Sequence, residues 1–93
     1  MIRFIVVLEA PTRSQQTAVS QLLTSLGAGW GHFLPSLWFV EFEDDDITAT
    51  KLTNRIHKAL PETAVVVLGI DATTEWSGRG DPDMFKWLRA NEW

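Results

Sequence analysis

The stretch Gly29-Trp30-Gly31-His32-Phe33-Leu34-Pro35-Ser36-Leu37-Trp38-Phe39-Val40-Glu41-Phe42 decides the fold of this chain. Residues 37–42 are mostly aromatic, aliphatic or β-branched, which suits the pleated surface of a strand. Pro35 has no N–H group for a ladder and therefore belongs at a corner. We predict two strands that fold back on each other at residues 34–36, in a hairpin that is part of the core.

Two further apolar stretches are predicted to form buried strands. Residues 2–8 and 64–70 carry apolar side chains at both odd and even positions, apart from Arg3 and Gly69. This pattern is typical of strands that are covered on both faces. We expect the first of the two stretches at the centre of a sheet.

The segment between the first strand and the hairpin predicts a helix. Thr12 and Gln15 have the spacing of a capping box, and an apolar stripe follows over residues 18–26. Gly27 is suited to end this helix because glycine readily adopts the left-handed conformation.

A second helix is predicted after the hairpin. Its apolar stripe runs over residues 47–60, and Asp45 or Asp46 is the expected N-cap. Pro61 marks its end.

The order strand, helix, strand, strand, helix, strand is the ferredoxin-like βαββαβ plan. In this α+β plan a four-stranded antiparallel sheet carries two helices on one face, and the first and third strands lie in the middle. We predict one such domain over residues 1–93. A domain of this size leaves much apolar surface exposed, which favours a homodimer.

The last part of the chain, residues 72–93, is predicted to be a loop and a short helix. Asp81 and Pro82 suit the N-cap and first turn of a helix over residues 82–91. Since the first two helices cover one face of the sheet, this segment or a second subunit should cover the other face. The residues expected at an interface are tryptophans: Trp38, Trp76, Trp87 and Trp93.

Charge and composition disfavour several classes of protein. Twelve acidic and eight basic residues give a net charge of −4, which disfavours generic binding to phosphate backbones. The absence of cysteine excludes disulfides, thiolate metal sites and thiol catalysis. The apolar runs are far shorter than the roughly 20 residues of a membrane span. No signal peptide is recognised, so we expect a cytoplasmic protein without a membrane partner.

The hairpin also carries a motif. Residues 30–38 form the pattern W-x-H-x-L-x-S-x-W, which resembles the signature of a family of small bacterial SinR-like proteins. That family is grouped by fold with the CRISPR-associated adaptation nucleases, the "Cas-two" proteins. The resemblance extends over most of the chain and includes the Trp-Ser-Gly loop at residues 76–78. It implies a ferredoxin-like homodimer rather than a particular reaction.

The same resemblance implies a metal ligand. The "Cas-two" nucleases are similar in carrying an acidic residue at the end of the first strand, where a divalent metal would lie between two subunits. The matching residue here is Glu9, in place of the aspartate of the nuclease pattern. Magnesium demands near-ideal octahedral geometry, and the longer side chain shifts the carboxylate. The position of Glu9 in the resemblance nevertheless makes it a candidate catalytic residue and ligand of Mg²⁺ or Mn²⁺. The alternative is a solvated strand end.

His32 and Ser36 are the other candidate catalytic residues. They are four residues apart across the predicted corner, so that the two side chains could form a base–hydroxyl pair. The alternative is a histidine that holds the hairpin by a hydrogen bond to Ser36 or to the backbone. No aspartate at a recognisable spacing completes a catalytic triad.

Three functions remain open on the sequence. We favour a non-catalytic homodimeric module that binds a protein or nucleic-acid partner. The second is a metal-dependent ribonuclease or deoxyribonuclease with its site at the dimer interface. The third is an acidic interaction protein, such as a toxin–antitoxin component or an inhibitor.

Overall fold

A computed structural model describes residues 1–71 and 73–93 of the chain. Ala72, the first residue of the predicted C-terminal segment, lies outside the described residues. The elements in chain order are β1 (Ile2–Leu8), α1 (Arg13–Ser25), β2 (Gly29–Leu34), β3 (Leu37–Phe42), α2 (Ala49–Ala59), β4 (Val65–Ile70) and α3 (Pro82–Ala90). The predicted ferredoxin-like α+β fold is confirmed, with a third helix after the last strand.

The four strands form one antiparallel sheet in the order β2-β3-β1-β4. In the centre, Phe4 lies opposite Val40 on β3. Val6 lies opposite Val67 on β4. The pairing of β2 with β3 is regular from Gly29 to Gly31 and irregular from there to residue 34. Strands β2 and β4 are therefore the two edges of the sheet.

Helix α1 begins and ends as its sequence predicts. The Thr12 hydroxyl accepts a hydrogen bond from the Gln15 amide at 3.2 Å, and the Gln15 side chain accepts one from the Thr12 amide at 2.8 Å. This reciprocal pair is the capping box. Gly27 follows the helix with a φ of +79°, in the region that glycine enters at little cost.

The predicted N-cap of the second helix is wrong. Thr48, and not Asp45 or Asp46, caps α2, because its hydroxyl accepts the Lys51 amide at 3.1 Å. The aspartates precede the helix in a turn, where the Asp46 amide donates to Asp44 Oδ1 at 2.9 Å. This later start leaves Ile47 outside the helix, where it packs against the core. An apolar residue before the N-cap commonly fixes the entry of a helix in this way.

The main core lies between the sheet and helices α1 and α2. Trp38 and Val40 from β3 and Val6 from β1 are completely buried in it. Leu23 of α1 and Leu52 of α2 close it from the other side. Alternation along each strand puts every second side chain on this face. The remaining side chains point to the opposite face, which we call the open face.

Helix α3 packs on one part of the open face. Trp87 lies 6.2 Å from Phe39 of β3 and 6.3 Å from Phe33 of β2, measured between ring centroids. Gly31 is buried beneath this helix, and a Cβ atom there would lie 2.9 Å from Trp87 Cδ2. Only a glycine allows the helix to approach β2 so closely. The C-terminal segment therefore covers the β2 side of the sheet of its own chain.

Candidate functional site

Glu9 lies immediately after β1, exposed to solvent. Its backbone amide donates to the Ala64 carbonyl oxygen at 3.1 Å, so it is next to the start of β4. Among the described residues, no group of three or more His, Asp or Glu side chains is placed to hold a metal ion. Within the described residues, Glu9 is thus not part of such a group.

His32 is held against the core by two contacts. Its ring stacks on Trp38, with the ring centroids 4.0 Å apart and an angle of 4° between the planes. Its Nε2 atom lies 3.2 Å from the Pro35 carbonyl oxygen, at hydrogen-bond distance. In the described structure the side chains of His32 and Ser36 form no hydrogen bond with each other. The Ser36 carbonyl accepts the Leu8 amide at 2.8 Å. His32 thus stabilises the hairpin corner, and Ser36 joins the hairpin to the end of β1.

The four tryptophans expected at an interface have different environments. Trp38 is completely buried within the chain, and its Nε1 donates to Ser20 Oγ at 3.2 Å. Trp87 and Trp93 are half-buried on the open face, with their ring centroids 5.8 Å apart. Trp76 is 45% exposed. A second subunit therefore has the most access to Trp76.

A charged cluster fastens the end of the chain to the open face. Arg3 Nε lies 3.5 Å from Glu41 Oε2, and Arg3 Nη2 donates to the Asn91 carbonyl oxygen at 2.7 Å. Trp93 Nε1 donates to the same Glu41 oxygen at 3.1 Å, and the Arg3 guanidinium lies 5.3 Å from the Trp93 ring centroid. We call Arg3, Glu41, Asn91 and Trp93 the C-terminal latch. The latch explains why Arg3, a charged residue, occurs in the otherwise apolar first strand.

The β4 side of the open face is bare. Val66 is 55% exposed and Leu68 is 52% exposed, and both project from an edge strand. We call these two residues the β4 flank. Leu68 also lines an apolar groove of about 410 Å³ between the sheet and the C-terminal segment. Other apolar residues that line the groove are Ile5, Leu37, Phe39, Ile70, Trp76 and Phe85.

At the opposite edge, a cleft of about 510 Å³ separates α1 from β2. Trp30 and His32 of β2 line one wall. The other wall comes from α1 and is formed by residues of polar type, Arg13, Gln16, Thr17, Ser20, Gln21, Thr24 and Ser25. The sequence interpretation missed this cleft. The sequence feature that could have indicated the cleft is the recurrence of polar side chains three or four residues apart along α1.

The carboxyl group of Asp71, at the end of β4, has a perturbed pKa. Hydrogen bonds from the Thr73 hydroxyl and amide, at 2.6 and 2.8 Å, lower the pKa of Asp71 below its ordinary value of 3.8. The Thr74 hydroxyl adds a weaker contact at 3.4 Å. These bonds form a turn directly after β4. The pKa shift is explained by that turn and indicates no catalytic group.

The comparisons with known proteins assign no family. No protein-family model matches the chain, and no curated protein matches it at a significant level. Among the described residues, no helix has both the length and the apolar character needed to cross a bilayer. The features that bear on function are therefore those of the two edge strands, β2 and β4.

Proposed function

We propose that the chain is a non-catalytic binding module that forms a homodimer through β4; a homodimer is also what the resemblance to the SinR-like proteins implies. The observation that carries the proposal is the β4 flank, where two aliphatic side chains are more than half exposed on an edge strand. Isolated exposed apolar residues are common on protein surfaces. An apolar pair on a bare edge beside an apolar groove favours an interface.

The sequence of β4 supports self-association. Its residues, Val-Val-Val-Leu-Gly-Ile over 65–70, include no charged residue and no proline. Edge strands of monomers usually carry lysine, proline or a bulge that prevents pairing with another strand. Strand β4 has none of these and pairs with β1 in regular register. Its outer N–H and C=O groups are therefore a ready surface for a second strand.

An antiparallel pair of β4 strands would join two sheets into one of eight strands. The four side chains of the two β4 flanks would each gain burial, and full burial of such a side chain is worth roughly 1.5–3 kcal/mol. Because these side chains are already partly buried, their sum is a few kcal/mol, of the same order as the entropic cost of association. The shared ladder hydrogen bonds would then determine the affinity.

The proposed dimer does not include a shared metal ion. Glu9 lies beside the start of β4, and in an antiparallel pair the two starts lie at opposite ends of the ribbon. For strands paired over their full length, the two Glu9 residues would be offset by about 17 Å along the strands at 3.3 Å per residue, and by about 14 Å across the three strand spacings between the two β1 strands. One divalent ion cannot bridge that distance.

Sedimentation equilibrium tests the proposal. We expect the wild-type chain to be a dimer and Leu68→Lys to weaken dimerisation at least 100-fold, because a lysine on each copy would be desolvated at the joined edge. Gln21→Lys on α1, which is exposed and lines the cleft at the β2 edge, opposite β4, is the control with a matched added charge and should remain dimeric. Circular dichroism shows whether each variant is folded. A wild-type chain that stays monomeric at every concentration would overturn the proposal.

A further inference from the structure

The cleft between α1 and β2 is a local exception to the charge of the molecule. Arg13 is its only residue with a full positive charge, and no Asp or Glu of the described residues lines it. The chain as a whole has a net charge of −4. Within the cleft, an anionic group would therefore meet one cation and no carboxylate of the lining residues, despite the negative charge of the chain as a whole.

The aromatic wall of the cleft is rigid before any ligand arrives. Stacking on the buried Trp38 and the contact with the Pro35 carbonyl fix the ring of His32. Trp30 is fixed at the other end, where its Nε1 donates to Thr24 Oγ1 at 3.0 Å. A preformed wall lowers the entropic cost of binding, since few side chains become ordered.

The cleft also runs beside an unpaired strand edge. β2 is the outer strand of the sheet, with regular pairing to β3 from Gly29 to Gly31. An extended peptide beside such an edge can form main-chain hydrogen bonds with it while alternate side chains enter the neighbouring cleft. The length of α1, along which the cleft runs, also suits a short extended peptide. The 13 residues of α1 span about 20 Å, which equals about six residues of extended peptide.

We infer that the α1–β2 cleft binds an extended, acidic peptide segment of another protein, with one carboxylate at Arg13. The main chain of the peptide lies along residues 29–31, and its side chains contact Trp30 and His32. This inference names a partner class for the proposed binding module. It rests on the binding role of the module but not on self-association, because the cleft and β4 lie at opposite edges of the sheet.

A displayed library of random eight-residue peptides, selected against the wild-type chain, tests the inference. We expect the selected peptides to be enriched in aspartate or glutamate. Arg13→Gln should weaken the binding of a selected peptide about tenfold, and Arg55→Gln, the matched loss of charge on α2, should leave it unchanged. Thr17→Glu inside the cleft should also weaken binding, and Thr50→Glu on α2 should not. Amide chemical shifts should change at residues 29–34.

Three results would overturn the inference. They are a selection without enriched peptides, enriched peptides without acidic residues, and shift changes confined to the β4 flank. Repeating the titration with Leu68→Lys separates the two proposals. Peptide binding by a chain that never dimerises would refute self-association alone, and a dimer without peptide binding would refute the cleft alone.

Discussion

The two edge strands of this sheet have opposite surroundings on the open face. On β2, Gly31 is buried beneath α3, and a Cβ atom there would lie 2.9 Å from both Phe33 and Trp87. On β4, the side chains of Val66 and Leu68 point to the same face and are 55% and 52% exposed. One edge has a helix packed against its face, and the other has the bare β4 flank.

The difference follows from the size of a helix. Four strands at about 4.8 Å spacing make a sheet about 19 Å wide, and a helix with its side chains is about 10 Å in diameter. One helix therefore covers about two strands. Because α3 lies over β2 and β3, the faces of β1 and β4 remain open beside the groove. The position of α3 thus determines which edge is available to a partner.

The largest effect that tests this comparison comes from a pair of glycine substitutions. Gly31→Ala places a methyl group against Trp87 and Phe33, so we expect a loss of about 2–3 kcal/mol in the free energy of unfolding. Gly69→Ala on β4, where the methyl group would point to the other face of the sheet and has room beside Phe4, is the matched control and should change stability by less than about 0.5 kcal/mol. Urea denaturation measures both. Equal effects at the two positions would show that α3 is not seated on β2.

A smaller effect is expected at the C-terminal latch. Glu41→Gln removes the charge that faces Arg3, whose side chain is 19% exposed, and should lower stability by about 1 kcal/mol. Glu43→Gln, an exposed neighbour with the same loss of charge, is the control and should have little effect. Urea denaturation followed by tryptophan fluorescence measures the two variants. If Glu41→Gln is as stable as wild type, the latch does not hold α3 in place.

The smallest effect is a pH dependence at the end of β4. The Thr73 hydrogen bonds favour the charged form of Asp71, so its pKa is lower in the folded chain than in the unfolded chain. Its contribution to stability is present above its ordinary pKa of 3.8 and is lost as the pH falls through the lower folded pKa. Asp71→Asn should therefore remove a small part of the stability that is lost as the pH falls below the ordinary pKa of 3.8. The same acid dependence in both proteins, measured by thermal denaturation, would contradict this role.

Several features that local sequence patterns encode were predicted correctly, but the burial of the last strand was not. Residues 64–70 were expected to be covered on both faces, whereas Val66 and Leu68 of β4 are 55% and 52% exposed in the single chain. The hairpin corner at Pro35 and the capping box at Thr12 depend on residues close in the chain. The N-cap of α2 was missed because aspartate and threonine are both good caps, and packing of Ile47 decided between them.

The features that depend on distances between elements could not be predicted. The latch joins Arg3 to Asn91, 88 residues apart in the chain, and nothing near Arg3 in the sequence indicates this contact. The cleft depends on the spacing between α1 and β2. The bare β4 flank depends on which strands α3 covers, although the sequence did indicate that two helices leave one face uncovered.

Amide hydrogen exchange at two protein concentrations tests the central claim most directly, since it reports on both edges in one experiment. If β4 joins two copies while β2 stays free for a peptide, amides in residues 65–70 should exchange more slowly at high concentration, and those in residues 29–34 should not change. Protection that rises with concentration at β2 instead, or at neither edge, would contradict the assignment of self-association to β4.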